Sequence, residues 1–363
     1  MQSFIQLFSS YFKKVYLNVA VFITMIFCAW KFEYISLSTI SLLLVVEFVW
    51  FYFFKNPRRE LKNKDSIIVT GCDTGLGYSL ALHCSNHLNI SVIAAVHNID
   101  SLGSKNLSKA GITVYPLEIT DSTSVKAFVQ LAADYLKREN LALRGVVNNV
   151  GAMIFGEFEW QTEEQIRHQM EVNLLGTMRL TKEMLPVLRE QSSRLIIVTS
   201  HCSSEPLPGV AIYSATKAGL FAWATSLRVE LKKYGVEVVS FVPGSFIRES
   251  NLLSQQRKHF EVMKLAMTQE ARSFYSDYFE RYADYLSPLS RNVSPPQKIE
   301  NPRLYEIFED ALLDQYPQAV YKCEPWRYMI YFCLFKITSM RIRDWLVERF
   351  VQMPAWKDTK DKK

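Results

Sequence analysis

A hydroxyl, a phenol and an amine occur close together in the stretch SHCSSEPLPGVAIYSATK, from Ser200 to Lys217. Tyr213 and Lys217 are four positions apart, so on a helix they share one face. A phenol normally titrates near pH ~10 and handles protons poorly at neutrality. An adjacent ammonium favours the phenolate and lowers that value, which makes Tyr213 usable as an acid/base. Ser200 can then hold the oxygen at which the proton moves. Taken alone, the three residues also fit an ordinary helix preceded by a serine. The elements around them must decide.

From Asp65 onwards, short apolar runs alternate with helical patterns. Strands are expected at 66–70, 90–96, 112–117, 145–148, 195–199 and 236–242. Helices are expected from the first glycine motif to about His87, at about 122–139, 162–172 and 174–191, and from Tyr213 to about Tyr234. This rhythm predicts an α/β fold, a doubly wound parallel sheet. The first strand runs into Gly71-Cys72-Asp73-Thr74-Gly75-Leu76-Gly77 and opens a helix. Glycines there allow a tight turn, close approach of backbone to a pyrophosphate and close helix–strand packing. The helix N-terminus adds partial positive charge. A dinucleotide site is the expectation.

Six features recur in a recognisable order: TGCDTGLG at 70–77, NNVG at 148–151, the Asn of EVNLLGT at 171–177, Ser200, YSATK at 213–217 and PG at 243–244. Together they resemble the short-chain dehydrogenase/reductase family over about residues 65–250. The Cys-Asp pair and the stretch LAMTQEARSFYSDYFERYADYL resemble its membrane-bound branch of retinol, 11β- and 17β-hydroxysteroid dehydrogenases, with 3-hydroxybutyrate dehydrogenase as a relative. The resemblance implies a Rossmann fold and a nicotinamide cofactor. It implies Tyr213 as general acid/base, and Lys217 lowering its pKa and binding the nicotinamide ribose. Ser200 would orient the substrate oxygen, and Asn173 would hold a water linking Lys217 to solvent. Gly71, Asp73, Thr74, Gly75, Leu76 and Gly77 would form the cofactor turn. Asn148 and Gly151 would line the adenosine ribose, Glu118 would meet the adenine, and Pro243 and Gly244 complete the set.

Three positions depart from the family pattern: Val150 replaces Ala, Glu118 replaces Asp, and Arg248 in PGSFIRES replaces a Thr. Ser250 offers a nearby hydroxyl. The second strand ends in Val96-His97-Asn98-Ile99-Asp100, with neither a clear acid nor an Arg for a 2′-phosphate. The absence of a basic residue tilts the expected cofactor to NAD over NADP. His201 adds a titratable group beside Ser200 and is expected to be a loop residue without a role.

The ends of the chain point to lipid. Val15–Trp30 is a marginal apolar span, and Ile35–Phe54 has the twenty residues needed to cross a bilayer core. Trp50, Phe51 and Tyr52 fit an interfacial belt, while Glu47 is an awkward guest. Residues 1–65 carry eight Lys/Arg against four acids, and the basic residues flank the apolar pair. That bias predicts a hairpin with both ends in the cytosol, at the endoplasmic reticulum membrane. Three Asn-x-Ser sequons, at Asn89, Asn106 and Asn292, leave a lumenal domain open. The stretch at 326–338 is apolar but shorter than a span and reads as an interfacial segment, with a packed helix as the alternative.

These readings give an anchor at 1–64, the Rossmann domain at 65–325, and an apolar, basic C-terminal segment at 326–363. Aromatic residues at spacings of three and four within 250–290 make one helix face, either core or a lid over an apolar substrate. The net charge of +6 is concentrated at the ends, so no basic stripe for nucleic acid is expected. The six cysteines show no CxxC pairing, which predicts reduced thiols and no metal. The function expected is oxidation or reduction of a lipophilic alcohol or ketone, a steroid before a retinoid. A small hydroxy acid, or a non-catalytic nucleotide-binding membrane protein, are the alternatives. A homodimer would be common for such a fold.

Overall fold

Every residue of strand β1 (Asp65–Thr70) is buried, as a central parallel strand covered by helices on both faces requires. The computed structural model describes residues 56–247, 250–290 and 295–356. The chain divides into two units, Met1–Pro57 and Arg58–Lys363. The expected apolar pair at 15–54, Arg248 and Asn292 lie outside the described residues. Everything below concerns the second unit.

Six further strands join β1: β2 (Ser91–Val96), β3 (Thr113–Pro116), β4 (Ala142–Asn148), β5 (Arg194–Val198), β6 (Glu237–Val242) and β7 (Val320–Lys322). Their order is β3-β2-β1-β4-β5-β6-β7, and every pairing is parallel. This is the Rossmann-like doubly wound sheet. Helices α1 (Gly75–Asn86) and α2 (Leu102–Lys109) cover one face, together with a later helix described below. The other face is covered by α3 (Ser122–Arg138), α5 (Thr177–Glu190) and α6 (Ala211–Lys232), with α4 (Glu163–Met170) leading into α5. Leu80, Ala81 and Leu107 pack into the first core. Phe128, Leu180, Met184 and Leu220 pack into the second.

The expected strands all form, with ends shifted by one to three residues. The helices expected at 162–172 and 174–191 are instead one column, because a π-helical stretch at Glu171–Gly176 joins α4 to α5. Such a stretch widens the helix locally and is frequent at functional sites. Sequence reading missed α2, β7 and the helix between 302 and 313.

After β6 come α7 (Gln256–Ala266) and α8 (Gln269–Leu286), then α9 (Pro302–Leu313) before β7, and α10 (Trp326–Ile337) and α11 (Met340–Val351) after it. The aromatic face of α8 is core: Tyr275, Tyr278, Phe279 and Tyr282 set their rings around buried Trp160, with centroids 5.0 to 5.7 Å away. Edge-on rings at this distance are favourable beyond their buried area. Among the described residues no helix is long and apolar enough to cross a membrane. Helix α10 buries Phe332 and Phe335 but leaves Trp326, Ile330 and Ile337 exposed.

A buried guanidinium ties the far edge of the sheet together. Arg194 on β5 is 1% exposed. It reaches the Glu237 carboxylate on β6 at 2.5 Å, the Ala311 carbonyl at 3.0 Å and the Asp314 carbonyl at 2.6 Å. Glu237 is 26% exposed and also pairs with Arg59 at 3.3 Å, so the loss of Arg194 falls mainly on the bonds it makes to the buried backbone, at a cost of up to roughly 3 kcal/mol. Arg194→Ala is therefore expected to lower the unfolding free energy in urea by up to about 3 kcal/mol; a loss below about 1 kcal/mol would show that the knot is not a stabilising unit.

Candidate active site

The ends of β1, β4, β5 and β6 line the edge where the strand order reverses between β1 and β4, the usual ligand position in an open α/β sheet. The glycine turn leaves β1 there. Gly71 and Gly75 have φ of +69° and +64°, a region closed to most side chains. A Cβ on Gly77 would lie 2.3 Å from the Gly71 carbonyl oxygen and 2.6 Å from Asn149 Nδ2. No side chain can be added without moving the turn. Thr74 caps α1 without a side-chain bond to its amides, so the first-turn N–H groups face outward as an anion cradle. The Thr74 hydroxyl instead accepts from the Asn251 amide at 3.4 Å.

The other expected cofactor residues take distinct places. Asp73 accepts from the amides of His97 and Asn98 at 2.8 and 3.0 Å, which sets its carboxylate at the tip of β2. Glu118 accepts from the Thr120 amide and hydroxyl and pairs with His97 at 3.1 Å. Burial works against the Glu118 charge, but the Thr120 bonds and His97 outweigh it and hold the carboxyl below its usual range. Leu76 packs into the core beneath the turn. Gly151 passes close to Asn173 Oδ1 and Lys217 Nζ, at 3.5 and 3.7 Å from where its Cβ would stand. Pro243 precedes Gly244, whose φ is +96° and whose Cβ would meet the Cys323 carbonyl oxygen at 2.6 Å.

Asn148 turns its side chain away from the glycine turn. It is 3% exposed and donates to Thr181 Oγ1 at 2.8 Å, so its side chain points into the helical layer. Its neighbour Asn149 does the work at the turn, donating to the carbonyls of Thr70 and Gly71 at 2.8 and 3.3 Å. Successive side chains at the end of a strand point to opposite faces, so the side chain bonded to the turn is that of Asn149.

Tyr213 and Lys217 lie on α6 and are brought together with Ser200, which follows β5. Lys217 is 4% exposed and donates to the Val198 carbonyl at 2.9 Å. Its Nζ is 5.8 Å from the centre of the Tyr213 ring. Asn173, within the π-helical stretch, donates to the Ala152 carbonyl at 2.8 Å and to Thr216 Oγ1 at 3.0 Å, and accepts from the Ala152 amide at 2.6 Å. Its own carbonyl accepts from the Thr177 hydroxyl at 2.8 Å. Thus the β4 loop, the π-helical stretch and α6 are bonded into one unit around Lys217.

At the phenol, burial and a neighbouring ammonium act in opposite senses. Burial, with Cys202 beside it, pushes the Tyr213 pKa up against the opposing Ser200 hydrogen bond. The ammonium does not reverse this, because it lies over the ring face and is bonded to Val198. Burial acts on Lys217 too and pulls it down to about 8. Around Tyr213 the walls are apolar: Met153, Cys202, Val210 and Leu253, with Phe155, Leu207, Leu252 and Leu289 at the margin. His201 stacks on Phe332 of α10 at 5.5 Å, and burial holds it neutral, with a pKa of about 4. It is thus a packing residue that seats α10 beside the site, a role its polarity did not reveal.

The profile of the short chain dehydrogenase family matches residues 65–259, more than half of the chain. The chain belongs to that family. Among its relatives are rat mitochondrial D-beta-hydroxybutyrate dehydrogenase, 32% identical over 60% of this chain and 65% of that enzyme, and rat estradiol 17-beta-dehydrogenase 2, 27% identical over 87% and 83%. Human 17-beta-hydroxysteroid dehydrogenase type 2 is 28% identical over 79% and 74%. The chain spans less than two thirds of the rat and mouse hydroxybutyrate enzymes. A short-chain dehydrogenase from Streptomyces avermitilis shares the fold, with a TM-score of 0.55 and 22% identity over 79% of this chain and 98% of that one.

The lysine environment is open to direct measurement. Isotope-edited NMR of the lysine side chains should show one that titrates near pH 8, and Lys217→Met should remove it. A protein in which every lysine titrates near the ordinary value of ~10.4 would contradict the burial argument.

Proposed function

We propose that the protein is an NAD-dependent dehydrogenase of lipophilic alcohols and ketones, a steroid before a retinoid, held at the endoplasmic reticulum membrane with its catalytic unit in the cytosol. The observation that carries this reading is the seat of Tyr213: a phenol beside Ser200, with the Lys217 ammonium 5.8 Å from its ring centre, against apolar walls. In this reading Ser200 and Tyr213 hold the substrate oxygen, and Tyr213 gives up or takes the proton there. A partly buried phenol with a raised pKa is the protonated form at neutrality, suited to donating to a carbonyl oxygen. The reverse reaction needs the phenolate, so alcohol oxidation gains from higher pH. Lys217 supplies positive charge behind the phenol, and Asn173 fixes the segment through which protons reach it.

The cradle fits a dinucleotide. Its glycines admit no Cβ at the closest approach and the amides of α1 are uncapped, so residues 71–77 would hold the pyrophosphate, with Gly151, Pro243 and Gly244 beside it. When bound, the nicotinamide accepts or donates the hydride. Preference for NAD is supported at the tip of β2, where Asp73 and Glu118 place two carboxylates and residues 96–100 supply no Arg or Lys. A 2′-phosphate would meet negative charge there.

An apolar substrate is favoured over a small hydroxy acid. The side chains packed with Tyr213 include Met153, Val210, Leu252 and Leu253, walls suited to an apolar substrate, and His201 is held neutral. The match to the steroid enzymes also extends over more of both chains. Membrane attachment is supported by the apolar pair at 15–54 with its flanking basic residues. Exposed Trp326, Ile330, Ile337, Met340 and Trp345 on α10 and α11, with Arg327, Lys336 and Arg341 interleaved, support an interfacial contact beside the site.

The test is a substrate panel. The purified protein in detergent, given NAD or NADP with steroids, retinoids and 3-hydroxybutyrate, should reduce NAD fastest with a hydroxysteroid. Turnover only with 3-hydroxybutyrate, or only with NADP, would overturn the assignment of substrate or cofactor.

A further inference from the structure

We propose that His83, His87 and Glu309 form a zinc-binding site that clamps the end of α1 to α9. The cysteines gave no reason to expect a metal, and the sequence reading placed none. The fold, however, brings together two imidazoles and a carboxylate from positions 226 apart in sequence. Their candidate ligand atoms all lie within 4.8 Å of one another.

The helix makes the first half of the site. His83 and His87 are four positions apart at the C-terminal end of α1, so both rings leave the same face. They stack at 4.9 Å with 27° between their planes. Both present Nε2 to one atom, Glu309 Oε1, at 2.9 and 3.8 Å. In a tetrahedral zinc site with bonds of ~2.0–2.1 Å, neighbouring ligand atoms stand roughly 3.4 Å apart. The two distances straddle that value. His83 is fixed, 6% exposed and stacked on Tyr305 at 4.3 Å, while the His87 side chain is 68% exposed and can swing to close the gap.

Glu309 is already oriented as a metal ligand needs to be. Its other oxygen, Oε2, is bonded to Arg58 at 2.7 Å, which leaves Oε1 for the imidazoles. Outer bonds of this kind fix ligating carboxylates. Arg58 is in turn balanced by Asp310 at 2.8 Å, and Lys298 is drawn to the face of Tyr305 at 5.0 Å from its centre. Two histidines and one carboxylate leave the fourth position to water. Borderline-soft nitrogen with one oxygen suits zinc better than magnesium or calcium. The site lies nine residues beyond Thr74, roughly 13 Å along the helix from the glycine turn. Its role is to fasten α9 to the dinucleotide-side helix, not to act at Tyr213.

The test uses the untagged full chain in detergent, freed of metal by a chelator and titrated calorimetrically with zinc chloride. One zinc per chain should bind, and the thermal midpoint should rise with zinc. His87→Ala, at an exposed position, should keep the unliganded midpoint, weaken zinc binding at least about tenfold and abolish the zinc-dependent rise. Glu309→Gln should weaken binding as well. Absence of stoichiometric binding to the parent protein overturns the proposal. So does binding that His87→Ala leaves unchanged, which would place the metal elsewhere on the chain.

Discussion

A buried ammonium at the edge of a parallel sheet is the constraint on which the rest of this structure depends. Lys217 is almost wholly out of water, and its charge is answered by the carbonyl of Val198 at the end of β5. An isolated buried cation is costly, and proteins keep one only where the surroundings fix it. Here that fixing recruits α6, the π-helical stretch through Asn173, and the β4 loop through Gly151 and Ala152. The same burial that loosens the proton on Lys217 tightens the proton on Tyr213. The pair is therefore set apart by the enclosure before any ligand enters, whereas a phenol and an amine in water titrate at nearly the same pH, ~10 and ~10.4.

Around that point the architecture separates two tasks. The β1–β2 side, with its Cβ-free turn and uncapped helix, is shaped for a charged dinucleotide. Beyond β5 and β6, the walls contributed by Met153, Val210 and Leu253 are apolar. Helix α10 joins this second side by stacking Phe332 on His201, the residue after Ser200. An apolar helix that is exposed on one face and seated against the site on the other couples the proposed membrane contact to the place where an apolar substrate would arrive.

Much of this was legible in the sequence, for a physical reason. Buried parallel strands read as continuous β-branched runs, and the glycine turn and YSATK sit at their ends, so β1 to β6 and the Tyr213–Lys217 pairing follow from local pattern. What escaped depends on context. β7 is three residues long and only its pairing with β6 makes it a strand. The start of α9 does carry a local signal, Asn301 capping and Pro302 at the first helical position. Which of Asn148 and Asn149 faces the turn depends on strand register. The sign of the Tyr213 shift depends on burial, and the meeting of His83 and His87 with Glu309 depends on the tertiary fold; neither can be read from spacing.

The central claim is that Tyr213 carries the proton while the surrounding fold holds the cofactor. Tyr213→Phe removes one oxygen and leaves the ring, so it isolates that role. Steady-state turnover and NAD affinity should be measured on the same preparation. The account predicts that kcat falls roughly a hundred- to ten-thousand-fold, with the dissociation constant for NAD changed by less than about threefold. Turnover retained at the parent rate would contradict the account.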